Sequence, residues 1–241
     1  MERLAPIDAA KRIVSARFPE ARAAFLTGSA LTKRLTSTSD LDIVVVLQGK
    51  PAPFRETIRE FGWLVELFVQ SPASIKYFVA KEASEHQATT LKMLSDGHIL
   101  ISLDAEAERL QSEATETFDK GPSVMSIEEM RRRRYTLTDQ LGDLIGANDP
   151  TELLYISQQI LVGASELALR SKAQWLASGK WLLRHLALSE SELSIQLSSA
   201  ILALLETGDK EPIKAVVREI LERVGGPLAE GYRDAGEIPD L

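Results

Sequence analysis

Cysteine is absent from the 241 residues, so neither a disulfide framework nor a thiolate zinc site is available. Histidine is scarce: His86, His98 and His185 are scattered and match no metal-ligand spacing. No run approaches the roughly 18 apolar residues of a membrane span. The N-terminal stretch MERLAPIDAAKRIV carries acids and lacks the apolar core of a secretory signal. A soluble, cytoplasmic protein is therefore expected, with no membrane partner. Positive charge is in deficit, with 28 Lys and Arg against 35 Asp and Glu, a net charge of −7. Affinity for nucleic acid in general rests on a basic surface. No basic, aromatic-interleaved stretch occurs either, so nucleic acid is not an expected partner. What remains is ordinary for a globular protein: 44% hydrophobic residues, enough for a substantial core, and a length that suits one large domain or two ordinary ones.

The most informative stretch runs over residues 26–69. Asp40, Asp42 and Glu66 each sit at the edge of, or inside, a strongly apolar strand-like run. Burying an isolated carboxylate costs on the order of several kcal/mol, and such a group tends to neutralise instead. Three acids converging there are tolerable if a cation holds them. Residues two apart on a strand project to one side, so Asp40 and Asp42 point together at the mouth of the strand expected over 43–47. Two oxygen ligands on one face suit Mg²⁺, which takes one or two carboxylates and completes its shell with substrate phosphates. Upstream, Gly28-Ser29 follows the apolar run 23–26, and a Gly-Ser turn after a strand lets backbone N–H groups and a hydroxyl approach a phosphate. Lys33 and Arg34 follow on the connecting segment and could neutralise a triphosphate.

Along the chain, residues 7–18 have the spacing of an amphipathic helix, with strands expected at 23–26, 43–47, 64–69 and 98–103. Helices are expected at 54–61, closed by Gly62, and over 72–80, 84–95 and 104–117, with a short one within 31–39. Lys120-Gly121-Pro122 is a clear break, and beyond it no convincing strand signal occurs. Helices are expected over 126–145, over 150–171 behind an Asp149 cap, over 175–186, over 193–205 behind a Ser189/Glu192 capping box, and over 212–224. Residues 228–241 show no periodicity. The pattern predicts a mixed α/β domain with a mixed sheet to about residue 121, then an all-helical bundle.

Gly28-Ser29, ten residues, Asp40-Leu41-Asp42 and a later strand acid at Glu66 resemble the nucleotidyltransferase superfamily typified by DNA polymerase β. Within it the sequence is most similar to the kanamycin (aminoglycoside) nucleotidyltransferase type, to which Trp63-Leu64-Val65-Glu66-Leu67 and the following SPASIKYFV correspond. The likeness is concentrated in residues 23–80 and is faint elsewhere. It implies a nucleotidyltransferase catalytic domain over 1–121 and a helical substrate-binding domain over 122–241. It implies an Mg²⁺-dependent transfer of a nucleoside monophosphate from a nucleoside triphosphate, with ATP the expected donor, to a hydroxyl of a small molecule. An aminoglycoside-like antibiotic, and hence antibiotic resistance, is what the resemblance suggests. Asp40, Asp42 and Glu66 would be metal ligands and catalytic groups, Glu66 being either third ligand or base. Gly28, Ser29, Lys33 and Arg34 would bind the nucleotide.

In the helical half, Gln140-Leu141-Gly142-Asp143-Leu144-Ile145-Gly146 resembles the family helix carrying a catalytic carboxylate, which places Asp143 at the base position. Ala147 stands where that family has a lysine, so one nucleotide-side contact is missing or comes from elsewhere. Lys180 and Arg184 are four apart, on one helix face beside Trp181, a set that could flank the cleft and stack on a base or sugar ring. The run Arg131–Arg134 reads as a solvated helix face. Two other functions fit the same residues: nucleotidylation of another protein, and nucleotide binding without catalysis. Monomer and homodimer are both compatible with the sequence.

Overall fold

The computed structural model describes residues 3–32, 35–49 and 52–234. The chain divides into two compact units, Met1–Gly121 and Pro122–Leu241.

The first unit is built on a five-stranded mixed sheet. Its strands are β1 (Ala23–Thr27), β2 (Leu41–Val46), β3 (Phe54–Glu60), β4 (Trp63–Gln70) and β5 (His98–Ser102), in the order β3-β4-β2-β1-β5. β2 and β4 are parallel; the other pairs are antiparallel. Helix α1 (Pro6–Arg17) lies on one face, where Ala9, Ala10, Ile13 and Val14 close a core with Leu26, Leu41, Ile43, Val65 and Leu67. In β4 the alternation is regular. Trp63, Val65, Leu67 and Val69 are buried in that core, whereas Leu64, Glu66, Phe68 and Gln70 point to the other, wetter face. There α3 (Thr89–Ser95) and α4 (Glu106–Asp119) pack on β1. Helix α2 (Pro72–Ser84) leaves β4 through a capping box in which Ser71 and Ser74 exchange side-chain and backbone hydrogen bonds.

The helix expected over 54–61 is instead strand β3. Phe54-Arg55-Glu56-Thr57-Ile58-Arg59-Glu60 puts Glu56, Ile58 and Glu60 half-buried on one face and exposed residues between them, a period of two. Arg17 of α1 pairs with Glu56 at 2.7 Å, so the half-buried acids have a partner. Phe61 (φ 48°) and Gly62 (φ 80°) form a two-residue hairpin loop between Glu60 and its partner Trp63. Two left-handed residues match the twist of the flanking strands, and Gly62, expected to stop a helix, turns a hairpin instead. The helical turn expected within 31–39 lies earlier, at Gly28–Leu31, and is a single 3₁₀ turn. α3 is shorter than the expected 84–95. His86 has φ 58°, which breaks the path, and the Glu82 carboxylate accepts from Thr90 N (2.7 Å) and Oγ1 (2.8 Å) to start the helix there.

The second unit comprises α5 (Ile127–Gly146), α6 (Pro150–Ser171), α7 (Lys180–Ser189), α8 (Ser191–Thr207) and α9 (Glu211–Glu222) around one apolar core. The Asp149 cap is present, its side chain accepting from Thr151 N and Glu152 N. α7 starts later than the expected residue 175 because Trp175 and Leu176 lie in an irregular segment whose apolar side chains are buried. The Ser189/Glu192 capping box does not form: Glu190 precedes α8 and makes no side-chain cap bond. Residues 228–234 lie along α5, with Leu228 N donating to Thr138 Oγ1 at 3.0 Å and Tyr232 stacked on Tyr135 at 4.1 Å between centroids.

Candidate active site

Register alone brings the first-unit candidates together. Asp42 is opposite Thr27 on β1 and opposite Glu66 on β4, so the last residue of β1 and the start of β2 meet the middle of β4. Asp40 lies just ahead of β2, two residues from Asp42. Each of Asp40, Asp42 and Glu66 offers a carboxylate oxygen, and these oxygens lie within 4.8 Å of one another. All three residues are half-buried. Among the described residues, this is the one group of three or more acids or histidines gathered closely enough to hold a metal ion.

Gly28 is tied to this point. It follows β1 with φ 82°, a conformation that strains any residue with a Cβ. A Cβ built there would also collide with Asp42 Oδ2. Two separate demands, backbone and space, therefore require glycine beside the second aspartate. Ser29 stands in the 3₁₀ turn with its hydroxyl 3.3 Å from Ser39 Oγ. Ser39, buried just before Asp40, also accepts from Thr36 N at 2.9 Å, which ties the approach to β2 to the Gly-Ser turn. Lys33 and Arg34 lie outside the described residues.

One participant escaped the sequence reading. Arg55, on the edge strand β3, forms an ion pair with Glu66, and its guanidinium stacks over Phe68 at 4.9 Å. Alternation along 54–60 is the signal that could have placed it beside Glu66, and reading the stretch as helical hid it.

The second-unit candidates are distributed. Asp143 is exposed on α5. It lies one turn beyond Gln140, on the same stripe as Arg132 and Thr136. Those residues line a groove of about 700 Å³ between α5 and α6, with Gln158, Gln159 and Val162 opposite. A lysine ammonium does reach the neighbourhood of Ala147. It belongs to Lys210, which donates to the carbonyl oxygens of Ile145 (3.2 Å) and Ala147 and so caps the end of α5. At the start of α7, Arg184 lies over the Trp181 ring at 4.4 Å, covering one face of the indole expected to stack on a ligand. Lys180 is exposed.

Two of the four arginines expected on a solvated face are instead tied down, whereas Arg132 is exposed. Arg133 bonds Glu129 (2.9 Å) and Glu166 (2.8 Å), and Arg134 donates to the carbonyl oxygens of Gly226 (2.8 Å) and Gly225 (2.5 Å). Arg170, fully buried, reaches Glu129 at 3.1 Å. Burial pushes the Glu129 carboxyl up, but hydrogen bonds and charge from Arg170 and Arg133 outweigh it and hold the pKa down at about 2.

The first unit is thus a mixed sheet on which a Gly-Ser turn and three carboxylates that could hold a metal ion come together beside its central strands. Residues 7–117 match the family model described as nucleotidyltransferase domain. The first unit thus carries a nucleotidyltransferase domain with its five-stranded mixed sheet, and a helical region follows it. No curated protein matches the sequence. Among solved structures, a nucleotidyltransferase-like protein from Exiguobacterium sibiricum 255-15 is similar at 12% identity and a TM-score of 0.46, over 90% of this chain and 74% of that one. No helix among the described residues is long and apolar enough to cross a membrane.

Proposed function

We propose that the chain is an Mg²⁺-dependent enzyme that moves a nucleoside monophosphate from a nucleoside triphosphate, ATP foremost, to a hydroxyl of a small acceptor, in the manner of the kanamycin type. The observation that carries this reading is the convergence of Asp40, Asp42 and Glu66 inside a nucleotidyltransferase domain. The donor set fits the ion: three hard carboxylate oxygens on one side of the sheet, with Gly28 keeping the space beside Asp42 clear. Asp40, Asp42 and Glu66 would hold it, and when bound it would supply Lewis-acid stabilisation of charge on the phosphate oxygens.

The chain's own groups do the positioning. The Gly28-Ser29 turn offers backbone N–H groups and a hydroxyl to the outer phosphates. An acceptor oxygen aligned on the α-phosphorus attacks it, the bond to the bridging oxygen breaks, and pyrophosphate leaves. The acceptor proton passes to a carboxylate, and Glu66 and Asp143 are the two proposed candidates. Lys180, Trp181 and Arg184 are proposed as acceptor-side groups. An aminoglycoside-like acceptor is cationic and polyhydroxylated, which suits a protein of net charge −7.

The test is pyrophosphate release from the four ribonucleoside triphosphates with Mg²⁺, against aminoglycosides and other hydroxylated small molecules. Acceptor-dependent release that is lost in Asp40→Ala/Asp42→Ala supports the reading. Acceptor-independent silence across the panel, with nucleotide still bound, contradicts it and favours a protein acceptor or a binding role.

A further inference from the structure

The Arg55–Glu66 pair is built into the sheet. In the β3–β4 register Arg55 is opposite Phe68 and Thr57 is opposite Glu66, so Arg55 stands diagonally from Glu66 on the same face. Its guanidinium rests on the Phe68 ring, which fixes the plane from which the N–H groups reach the carboxylate. The Arg55 side chain is 59% exposed and that of Glu66 20%, so the cation reaches inward from the rim to the acid. Arg55 Nη2 engages Glu66 Oε2 in the same conformation in which Glu66 offers an oxygen within 4.8 Å of those of Asp40 and Asp42. The ion pair and the convergence of the three carboxylates coexist; neither has to break for the other to form.

We infer that Arg55 is a positioning residue for the metal site: it engages one side of the Glu66 carboxylate and turns the group toward Asp40 and Asp42. The inference rests on the metal reading above and deepens it. It gives Glu66 a reason to act as a ligand held in place. Groups that hold a metal ligand from behind fix its orientation, and their loss typically lowers metal affinity about 10–100-fold. The sign of the effect is diagnostic. A cation that served only as a neighbouring positive charge would repel a bound metal ion, so its removal would tighten binding. Only an orienting role makes removal weaken it.

The experiment is a titration of the full chain with Mn²⁺ alone, followed by the loss of the free-ion electron paramagnetic resonance signal, for wild type, Arg55→Ala, Arg55→Lys and Arg59→Ala. Arg59 is on the same strand and face but opposite Leu64, so its variant controls for lost charge. Far-ultraviolet circular dichroism checks that each variant is folded. The expected result is wild-type binding, a loss of about tenfold or more in Arg55→Ala, only partial recovery in Arg55→Lys, whose ammonium keeps the charge but not the stacked planar fork, and no weakening in Arg59→Ala. Equal or tighter binding in a folded Arg55→Ala overturns the inference while leaving the metal reading intact. Absence of Mn²⁺ binding in wild type overturns both.

Discussion

At the scale of single residues, the site depends as much on an atom that is missing as on those present. Gly28 holds φ 82° and leaves Asp42 its space, so Gly28→Ala both strains the turn and displaces a carboxylate. Backbone strain of this kind costs about 1–2 kcal/mol. Misplacing a reacting group by about 1 Å can cost about 100-fold in rate. The variant should therefore stay folded, with a melting temperature lowered by several degrees, and lose at least about 100-fold in kcat/KM. Near-wild-type turnover would show that the Gly28–Asp42 approach is not used. That Asp40, Asp42 and Glu66 come together was legible in the sequence, because acids at or inside apolar strand runs are conspicuous. Arg55 was not legible, because its role comes from the neighbour that a register supplies.

At the scale of elements, the β3–β4 hairpin sets that register. Side chains alternate with period two, so a slip of one residue would carry Arg55 to the face occupied by Glu56 and Ile58. The two-residue loop Phe61-Gly62 prevents the slip by closing Glu60 on Trp63. Gly62→Ala places a Cβ at φ 80°, 3.0 Å from Arg3 Cγ. It should destabilise the protein by about 1–2 kcal/mol, read as a lower urea midpoint with an unchanged slope. An unchanged midpoint would mean that the loop does not constrain the hairpin. This stretch also shows where sequence reasoning failed. Glu56 and Arg59 have the i,i+3 spacing of a helical ion pair, and Gly62 looks like a helix stop. Pairing with β4, which is long and apolar on one face, overrides that local preference. Helices α5 and α6 were legible almost to the residue, because Ser126 and Asp149 cap them and an apolar stripe runs their length.

At the scale of the whole molecule, the two units rest on different physics. The first closes an apolar helix-on-sheet core. The second buries, beside its apolar core, a network in which Glu129 serves both Arg133 and Arg170. Removing one partner of a buried pair leaves an uncompensated charge, so Arg170→Ala should cost about 3–5 kcal/mol, measured by urea unfolding. Because the Glu129 pKa is lowered to about 2 in the fold, its contribution is fully present above the ordinary carboxylate range. It is lost as pH falls from about 4.5 toward 2. Acid unfolding monitored at Trp175 and Trp181 should therefore be shallower in Glu129→Gln than in wild type over that window. Identical acid profiles would contradict the network's role. The boundary near Gly121 was legible from the break at Lys120-Gly121-Pro122 and the end of strand signals, whereas the arginine network was not. Consecutive arginines look solvated until tertiary contacts single some of them out, here Arg133 with Glu166 and Arg134 with the carbonyls of Gly225 and Gly226.

The claim that joins these scales is transfer of a nucleoside monophosphate, and it is tested most directly by following the phosphorus. ATP labelled at the α-phosphate or at the γ-phosphate is incubated with the protein, Mg²⁺ and an acceptor from the panel, beside Asp42→Asn. The account predicts α-label on the acceptor, γ-label in pyrophosphate, and neither transfer in the variant. Appearance of γ-label on the acceptor, or transfer undiminished in Asp42→Asn, would contradict it.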